Sequence, residues 1–503
     1  MSDTLALARR PGLALPRARL DHLWIALPLA FVFSYLCSMP IVHSDFFYNL
    51  ANGRLMAEQR GLLTRDILAY APTKEPFYNQ PWLTQLLYYA EFQLGGYPLV
   101  LFVHACTVTA AFAVVLLLAR DLTGSVRWAS AATFLAIVIA AENLSVRPQA
   151  YSFLPFALTL LLLSRHAERG WRLWLIPPLM ALWVNLHGAF LLGLGLVGLF
   201  LLGAALEAFR WPAGLSSLWQ AATVRRLALL FLATALAMCA NPYGPRIVDY
   251  WLLATGDPIA RTMDVEWLPT AVNSVIGVLF FASWAPLLGI LTLSRQRLRW
   301  TEALLLLACA GFGLVAVRNV VWWALVMPPL LARFAARLWP GRQRATAGKE
   351  LPVLNAALLA ALGLVVLVGL PWFRASNPLL APDLRRYLDA RHPVGAVEYL
   401  RQSGAAGRLF SRMEWGGYLE WELWPRLVPF LDARVEIRPE QVWRDYFAIL
   451  GASARWPELL DQYHPDYVLL EYREFPDLAR ALAASACWRE VYRDDLAVIY
   501  ARR

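Results

Sequence analysis

Long apolar segments recur along most of the chain, and short polar or charged stretches separate them. A helix needs about 20 apolar residues to cross the roughly 30 Å hydrocarbon core of a bilayer. Eleven segments are long enough to cross it, or nearly so: 22–42, 97–118, 127–142, 149–164, 172–188, 190–207, 227–241, 273–293, 301–317, 319–336 and 352–371. The pattern therefore predicts an α-helical polytopic membrane protein with about eleven transmembrane helices.

The basic residues are divided unevenly between the two sides of this predicted bundle. Cytoplasmic loops of membrane proteins carry an excess of Lys and Arg. With the N-terminus placed in the cytoplasm, the inside segments up to residue 370 carry 20 Lys and Arg, whereas the outside segments carry 8. This asymmetry predicts a cytoplasmic N-terminus and, because the number of crossings is odd, an extracytoplasmic C-terminal segment.

Two of the outside segments are too long to be simple connectors. The first, 43–97, has helical spacing of apolar residues in Leu50–Arg60 and Pro81–Gln93, which predicts two amphipathic helices on the membrane surface. The second, 371–503, has 37 charged residues among 133. We therefore predict a transmembrane domain at 1–370 and a soluble α/β or α+β domain at 371–503. The predicted helices of the second domain are Leu384–Ala390, Gly395–Gln402, Glu440–Leu450, Trp456–Tyr463 and Pro476–Ser485, and its short apolar runs are Arg408–Ser411, Leu427–Leu431, Tyr467–Leu470 and Leu496–Tyr500.

The composition excludes several other classes of protein. Hydrophobic residues make up 59% of the 503 residues and charged residues only 16%, with a mean hydropathy of +0.47, whereas soluble domains are about 25% charged. The net charge of +10 is spread between apolar segments without a basic cluster, which argues against a nucleic-acid binder. The five Cys residues have neither a disulfide-framework nor a zinc-site spacing. The sequence also lacks a nucleotide-binding or hydrolase signature.

The most suggestive polar cluster follows the first apolar segment directly, at residues 43–54. Asp45 lies there among aromatic residues, at the predicted outer surface of the membrane. Partial desolvation raises the basicity of a carboxylate and suits it to deprotonate an acceptor hydroxyl. Asp45 is equally suited to be the N-cap of a helix that begins near Phe46. The sequence leaves both interpretations open.

Several short motifs accompany this arrangement. They are Asp45…Asn49-Leu50…Gly53-Arg54, Arg65-Asp66-Ile67-Leu68-Ala69-Tyr70, Asn79-Gln80-Pro81-Trp82-Leu83, Arg147-Pro148-Gln149, Trp183-Val184-Asn185-Leu186-His187-Gly188, Asn241-Pro242-Tyr243-Gly244, Trp415-Gly416-Gly417-Tyr418-Leu419 and Phe430-Leu431-Asp432-Ala433-Arg434. Together with the layout of the chain, they resemble a group of bacterial membrane proteins within the GT-C superfamily of polyprenyl-phosphate-sugar-dependent glycosyltransferases.

The resemblance implies an inverting hexosyl- or pentosyltransferase of the bacterial inner (plasma) membrane. Such an enzyme takes a sugar from a polyprenyl-phosphate donor and passes it to a hydroxyl of a glycan, lipid or protein acceptor at the outer face. The resemblance also implies Asp45 as the catalytic base or acceptor-orienting carboxylate. Asp66 would be a second catalytic acid that contacts the acceptor or a divalent cation such as Mg²⁺ or Mn²⁺. For Asp66, a turn or N-cap in Thr64-Arg65-Asp66 is the structural alternative.

A transfer of this kind needs positive charge on the departing phosphate as well as a base. Arg147 and Arg318 lie at the predicted outside ends of helices, and Arg can bind phosphate through two parallel hydrogen bonds. We therefore predict both as ligands of the donor phosphate. Structural pairing, for instance of Arg147 with Glu142, or capping of helix carbonyls remains the alternative.

A further set of polar residues is predicted to bind substrate: Asn49, Asn79, Gln80, Trp82, Asn185 and His187. Amides suit sugar hydroxyls and an indole ring suits stacking, although Trp82 is equally suited to be an interfacial anchor. A lone histidine such as His187 is more often a hydrogen-bonded structural residue than a metal ligand. His43, with Asp45 and Asp66, forms a weak candidate metal site.

Two alternatives to catalysis remain open from the sequence. A transporter or lipid-handling protein is expected to have ionisable groups near the membrane midplane and broken helices in paired halves. An inactive relative of the same fold would act as a scaffold. In the C-terminal domain, Glu414–Tyr418 and Asp432–Glu436 suit either an acceptor-glycan site or a structural salt bridge with tight glycine turns.

Overall fold

The computed structural model describes residues 18–165, 170–209, 215–256, 265–294, 296–339, 351–374 and 386–503. Its first part is a bundle of helices. In chain order they are α1 (Leu20–Ser38), α2 (Ser44–Gln59), α3 (Trp82–Thr123), α4 (Val126–Ala140), α5 (Phe153–Ser164), α6 (Ile176–Trp183), α7 (Leu191–Ala208), α8 (Leu215–Gln220), α9 (Ala222–Ala237), α10 (Ile247–Gly256), α11 (Val275–Ala282), α12 (Trp284–Ser294), α13 (Trp300–Val315), α14 (Val320–Leu338), α15 (Pro352–Val368) and α16 (Pro371–Arg374). Each of the eleven apolar segments coincides with helical structure.

Five helical segments of the described residues are long and apolar enough to cross a membrane. They are Leu20–Ser38, Trp82–Thr123, Gly188–Ala208, Val275–Ser294 and Val317–Leu338. Three shorter apolar helical segments accompany them, at Pro148–Ser164, Trp300–Val315 and Pro352–Val368. The polytopic helical architecture expected from the hydrophobic pattern is confirmed.

Helix α14 lies at the centre of this bundle. Nearly all of its residues are buried, and it packs against α3, α4, α12 and α13. Helix α3 bends at Gly96, whose φ of 62° lies in the left-handed region that favours glycine. Pro98 follows and removes a backbone donor at the same place. The bend divides α3 into an outer part, predicted as Pro81–Gln93, and an apolar part, predicted as 97–118.

Helix α2 fills the space between the bundle and the C-terminal domain. The expectation of a helix at Leu50–Arg60 is confirmed, but its expected place on the membrane surface is wrong, because residues on most sides of α2 are buried. A Cβ at Gly53 would lie 2.0 Å from the carbonyl oxygen of Gln85, so this glycine lets α2 approach α3 closely. Helix α2 is therefore an internal element of the protein.

The C-terminal part is a small domain built on a five-stranded sheet. The strands are β1 (Gly407–Ser411), β2 (Leu427–Pro429), β3 (Tyr467–Leu470), β4 (Trp488–Arg493) and β5 (Val498–Arg502), in the order β2-β1-β3-β5-β4. Strand β1 pairs in parallel with β2 and β3, whereas β5 is antiparallel to β3 and β4. The helices are α17 (Val394–Gln402), α18 (Met413–Leu423), α19 (Glu440–Leu450), α20 (Trp456–Tyr463) and α21 (Pro476–Ala484). The prediction of a mixed helix-and-sheet domain is confirmed.

One predicted helix of this domain is wrong, and two of its elements are absent from the prediction. Helix α18 and strand β4 were not predicted. The expected helix Leu384–Ala390 is wrong over residues 386–390, which form a turn and a single bridge from Leu388 to Ile41, and its first two residues lie outside the described part of the chain.

The first loop docks onto the C-terminal domain through backbone contacts. The amides of Tyr70 and Ala71 donate hydrogen bonds of 3.1 and 2.9 Å to the carbonyls of Pro429 and Phe430, at the edge of the sheet. On the other side of the loop, α18 packs against the first turn of α2. A Cβ at Gly417 would lie 2.7 Å from the carbonyl oxygen of Ser44. The domain is thereby held directly over the residues that surround Asp45.

Candidate active site

Asp45 lies in the first turn of α2, where the amide ends of the helix give a partial positive charge. The N-cap is His43, so the capping interpretation of Asp45 does not match the structure. The Asn49 amide donates a 2.6 Å hydrogen bond to the backbone carbonyl of Asp45, not to its carboxylate. Among the described residues, the carboxylate of Asp45 has no hydrogen bond or ion pair. It is therefore available to a substrate.

The surroundings of Asp45 make its carboxylate a better base than an ordinary aspartate. Burial raises the pKa of Asp45, and the negative charge of Glu266 raises it further. The positive charges of Arg147 and Arg318 oppose this rise, which places both guanidiniums within electrostatic range of Asp45. The structure thus brings together the predicted base and the two predicted phosphate ligands.

Arg147 is buried, with 3% of its side chain exposed, and it forms an ion pair with Glu266. Its Nη2 also donates a 2.7 Å hydrogen bond to Oε1 of Gln149. His43 contributes to the same group, because its Nδ1 lies 3.8 Å from Oε1 of Glu266. The pairing alternative for Arg147 is correct in kind, but the carboxylate is Glu266 and not Glu142.

Arg318 lies in a short 3₁₀ segment, Val317–Asn319, directly before α14. Its Cζ atom is 4.7 Å from the centre of the Trp267 ring, next to Glu266 in sequence. The Gln149 side chain donates a 3.2 Å hydrogen bond to the backbone carbonyl of Arg318. Gln149 therefore links the Arg147 and Arg318 segments, while the guanidinium of Arg318 is half-buried against an aromatic ring.

The predicted substrate residues of the first loop form hydrogen bonds with other groups of the protein. Gln85 donates through Nε2 to Oδ1 of Asn79 at 2.7 Å and to Oδ1 of Asn49 at 2.9 Å. Gln80 donates a 2.8 Å hydrogen bond to the carbonyl of Val184. The side chains of Asn49, Asn79 and Gln80 are all buried. This network fixes the loop against α2 and α3, which is a structural use of the residues.

The predicted residues near the end of α6 are engaged in the same way. The Trp82 indole donates a 2.8 Å hydrogen bond to Oδ1 of Asn185. Asn185 in turn donates to the carbonyls of Ala181 and Ala240, both at 2.8 Å. The Nδ1 atom of His187 lies 3.0 Å from Oγ of Ser152, and it caps the turn that leads into α7. The contacts of His187 match its structural alternative, and the indole of Trp82 is held by Asn185.

Asp66 occupies a different environment from Asp45. Its carboxylate, 1% exposed, accepts a 3.1 Å hydrogen bond from Nη2 of Arg434 and forms an ion pair with Arg438. It also accepts a 3.3 Å hydrogen bond from the amide of Leu68, as in a turn. The structure therefore gives Asp66 the turn position of the alternative, and it adds a salt bridge between the first loop and the C-terminal domain.

The salt-bridge interpretation of the Asp432–Glu436 motif also matches the structure. Nε of Arg434 lies 3.0 and 2.9 Å from the two carboxylate oxygens of Asp432. Glu420, fully buried, has one oxygen 3.8 Å from Arg434. Burial raises the pKa of Glu420, with a further contribution from the charge of Asp432. Burial thus disfavours the charged form of Glu420, while Arg434 and Arg438 form ion pairs with Asp66 and Asp432 in this buried cluster.

The candidate metal ligands do not form a cation site. The described part of the chain contains no group of three or more His, Cys, Asp and Glu side chains that could hold a metal ion. Asp66 is occupied by two arginines, and His43 faces Glu266. A divalent cation therefore does not fit His43, Asp45 and Asp66 together.

Sequence reasoning missed two acidic residues beside Asp45. Glu266 is a single acid in a connection between helices and has no accompanying pattern. Glu436, in the C-terminal domain, is half-buried. Burial raises the pKa of Glu436, and the charge of Asp45 is one of the further causes. Only the three-dimensional approach of the C-terminal domain to α2 reveals this neighbour.

A cavity of about 550 Å³ lies at the opposite ends of the helices from Asp45. Its walls include the last turns of α3 and α14, whereas Asp45, Arg147 and Arg318 lie near the first turns of α2, α5 and α14. Charged residues of both signs line it, among them Arg299, Glu302 and Arg333. This cavity is separate from the candidate active site.

Comparison with known proteins supports the architecture. No protein-family model matches the sequence, and no curated protein matches it significantly. Solved structures match at probability 1.00. The oligosaccharyltransferase AglB from Archaeoglobus fulgidus, in complex with an inhibitory peptide and a dolichol-phosphate, has a TM-score of 0.53 and 13% identity, covering 96% of this chain and 74% of AglB.

Two other enzymes match to a similar degree. ArnT from Cupriavidus metallidurans bound to undecaprenyl phosphate has a TM-score of 0.51 and 16% identity, covering 95% of this chain and 97% of ArnT. The arabinofuranosyltransferase AftD from Mycobacteria has a TM-score of 0.52 and 16% identity, covering 97% of this chain and 42% of AftD. The fold that the sequence motifs suggested is thus observed: the chain has the polytopic membrane fold of the GT-C glycosyltransferases.

Proposed function

We propose that this chain is an integral membrane glycosyltransferase that moves a sugar from a polyprenyl-phosphate donor to an acceptor hydroxyl. The observation that carries the proposal is the carboxylate of Asp45, desolvated and without an ionic partner among the described residues, within electrostatic range of Arg147 and Arg318. The similarity of the fold to ArnT bound to undecaprenyl phosphate and to AglB with dolichol-phosphate supports a lipid-linked donor.

The proposed reaction is a single inverting displacement. The acceptor oxygen forms a bond to the anomeric carbon while the bond from that carbon to the phosphate oxygen breaks. Asp45 takes the proton of the acceptor hydroxyl, and the electron pair leaves with the lipid phosphate. Arg147 and Arg318 stabilise the negative charge that develops on the phosphate. Asp66 has no step in this scheme, because its carboxylate is bound by Arg434 and Arg438.

We also propose that the site lies at the outer face of the bacterial inner membrane, with the N-terminus in the cytoplasm. The charge asymmetry supports this orientation. A second support comes from the fold, because the segments of Asp45, Arg147, Glu266 and Arg318, all assigned to the outside by sequence, meet at one end of the bundle. The C-terminal domain packs at this end.

Replacement of Asp45 by Asn tests the proposal. The protein, in lipid nanodiscs, is given undecaprenyl-phosphate-linked hexoses and pentoses with a membrane extract as the source of acceptors, and release of undecaprenyl phosphate is measured. Wild type is expected to release it, and D45N to lose at least about a hundredfold in rate while it still binds the lipid. D477N, which removes an exposed carboxylate paired with Arg480, is the matched control and should retain full activity.

Each outcome of this test has a definite meaning. Full activity in D45N would contradict the role of Asp45 as the base. Absence of release by the wild type with every donor, together with undecaprenyl phosphate binding, would favour a non-catalytic lipid or glycan transporter or a scaffold of the same fold.

A further inference from the structure

Glu266 lies directly beside Arg147, one of the two residues proposed to bind the donor phosphate. It forms an ion pair with the buried Arg147, it lies 3.8 Å from His43, and its side chain is 27% exposed. Burial opposes ionisation of Glu266, but the charges of Arg147 and Arg318 outweigh it and lower its pKa to about 2. Glu266 is therefore a carboxylate at neutral pH, directly beside the cations that the donor needs.

The charges around the proposed phosphate position can be counted. Arg147 and Arg318 contribute two positive charges and Glu266 one negative charge. Burial, with a contribution from Arg147, lowers the pKa of His43 to about 4, so His43 is neutral at pH 7. Arg147, Arg318, His43 and Glu266 together therefore carry a net charge of one positive unit, and the proposed base, Asp45, within electrostatic range of both arginines, adds a negative charge when it is ionised.

The donor and the product of the proposed reaction differ in charge. A sugar linked through phosphate to a lipid is a phosphodiester with one negative charge. Breakage of the bond to the sugar leaves a phosphate monoester, which ionises a second time with a pKa near 6 and then carries nearly two charges. The carboxylate of Glu266 offsets part of the positive charge of the two arginines, so the site holds the doubly charged product less tightly than two unopposed arginines would.

We infer that Glu266 is a positioning residue that adjusts the charge of the Arg147 and Arg318 pair to the phosphodiester donor and so promotes release of the lipid phosphate product. This inference rests on the proposed function, because it needs the lipid phosphate to bind at the two arginines. Glu266 acts through Arg147 and not by contact with the reacting atoms.

The test measures the binding of two lipids that share the same undecaprenyl tail. Both are added to the full chain in nanodiscs at pH 8. Undecaprenyl phosphate is the monoester, and its methyl ester is a diester with a single charge. In Glu266→Gln, binding of undecaprenyl phosphate should tighten about tenfold, since one nearby negative charge is removed. Binding of the methyl ester should change by less than about threefold.

Two further variants separate charge from structure. Glu266→Asp keeps the carboxylate and should retain the wild-type affinity for both lipids. Glu490→Gln removes an exposed carboxylate that pairs with Arg493 on strand β4, and it should leave both affinities unchanged. If the role of Glu266 were only structural, its replacement would change the affinities for the two lipids equally. Comparison of the two lipids shows this even where Glu266→Gln folds less well.

The failure of this inference and the failure of the proposed function look different. If wild type binds neither lipid, the proposed function is wrong and the inference falls with it. If wild type binds undecaprenyl phosphate but Glu266→Gln binds it no more tightly, or tightens both lipids equally, the inference alone is overturned. If binding of undecaprenyl phosphate tightens more than binding of the methyl ester, as expected, turnover by Glu266→Gln should also become more sensitive to inhibition by added undecaprenyl phosphate.

Discussion

Asp45 and Asp66 show how two side chains of the same type serve different purposes within one loop. The carboxylate of Asp66 is bound by two guanidiniums and a backbone amide, so it is not available to accept a proton from a substrate. Asp45 interacts with Arg147 and Arg318 only through space, because Glu266 forms the direct ion pair with Arg147. Glu266 thus keeps Arg147 from neutralising the proposed base, and this arrangement affects the pH at which Asp45 ionises.

Removal of the Glu266 charge should shift the pH dependence of sugar transfer. The proposed base acts when it is ionised, so transfer should rise with pH as Asp45 loses its proton, above the ordinary aspartate range because its pKa is raised. Glu266 is one cause of the raised pKa. Glu266→Gln should therefore move the rising limb of kcat/KM to lower pH. Single-turnover rates from pH 4 to 8 give this limb without interference from product release, and an unmoved limb would contradict the assignment of Asp45 as the titrating group.

At the scale of elements, α18 determines how close the C-terminal domain lies to the proposed base. Gly417 lies on the face of α18 that meets the first turn of α2, with the backbone of Ser44 and Tyr48 beside it. Gly416 faces the opposite way, toward the backbone of Leu431 and Asp432. Two adjacent glycines thus let one helix pack tightly on both sides, so α18 transmits the position of the sheet to α2.

A methyl group at Gly417 should loosen this packing. The Cβ of Gly417→Ala would lie 2.7 Å from the carbonyl oxygen of Ser44 and 3.0 Å from the amide of Tyr48, both rigid backbone atoms. We expect a loss of about 1–3 kcal/mol in stability from overpacking, with a lower rate of transfer because the first turn of α2 carries Asp45. Thermal unfolding in detergent and the release assay measure the two effects.

Gly363→Ala is the matched control for this prediction. Gly363 lies inside α15, and a Cβ there meets nothing within 4 Å. The helix propensity of Ala then favours the folded state by about 0.5–1 kcal/mol. Equal melting temperatures for Gly417→Ala and wild type would contradict the close contact between α18 and α2.

The elements also show which parts of the fold the sequence can predict. The helices of the bundle can be predicted from apolar segments. A segment in lipid has to be apolar along its whole length, and a helix satisfies its backbone hydrogen bonds internally. Helix α18 is missed because Gly416 and Gly417 lower helix propensity and suggest turns, whereas close contacts with α2 and with the segment that follows β2 require them. Strand β4 was missed because it lies at the edge of the sheet and carries charged residues, as edge strands commonly do.

The site is less predictable than the bundle, for a physical reason. Asp45, Arg147 and Arg318 were found because charge at a helix end in a membrane protein is costly without a use. The amides Asn49, Asn79 and Gln80 were expected to face a sugar but face other polar groups, and sequence does not distinguish the two kinds of partner. Glu266 approaches Arg147 from 119 positions away along the chain, and only the folded structure brings them together.

At the scale of the whole molecule, the cluster of Asp66, Glu420, Asp432, Arg434 and Arg438 connects the first loop to the C-terminal domain. Asp432→Asn and Glu420→Gln make the same change, carboxylate to amide, at two fully buried positions. The charges of Arg434 and Arg438 overcome the effect of burial and lower the pKa of Asp432, whereas burial raises that of Glu420.

The two substitutions should therefore have unequal effects. Asp432→Asn leaves buried positive charge uncompensated and should cost about 3–5 kcal/mol. Glu420→Gln replaces a carboxyl group whose charged form is disfavoured by burial, so it should cost less than about 1 kcal/mol. Thermal unfolding of both variants at pH 7 measures the difference, and equal losses would contradict the charge assignment of the cluster.

The orientation of the molecule can be tested through Cys487, which is exposed on the C-terminal domain. If eleven helices cross the membrane and the N-terminus is cytoplasmic, this domain lies outside, over the end of the bundle that holds Asp45. A membrane-impermeant maleimide should then label intact spheroplasts, and Cys487→Ser should remove most of the label. Cys239 and Cys106 are exposed as well but lie in or next to apolar helices, so the loss on Cys487→Ser identifies the domain. Labelling of Cys487 only after the cells are permeabilised would place the domain and the proposed site in the cytoplasm, and would contradict donor binding at the outer face.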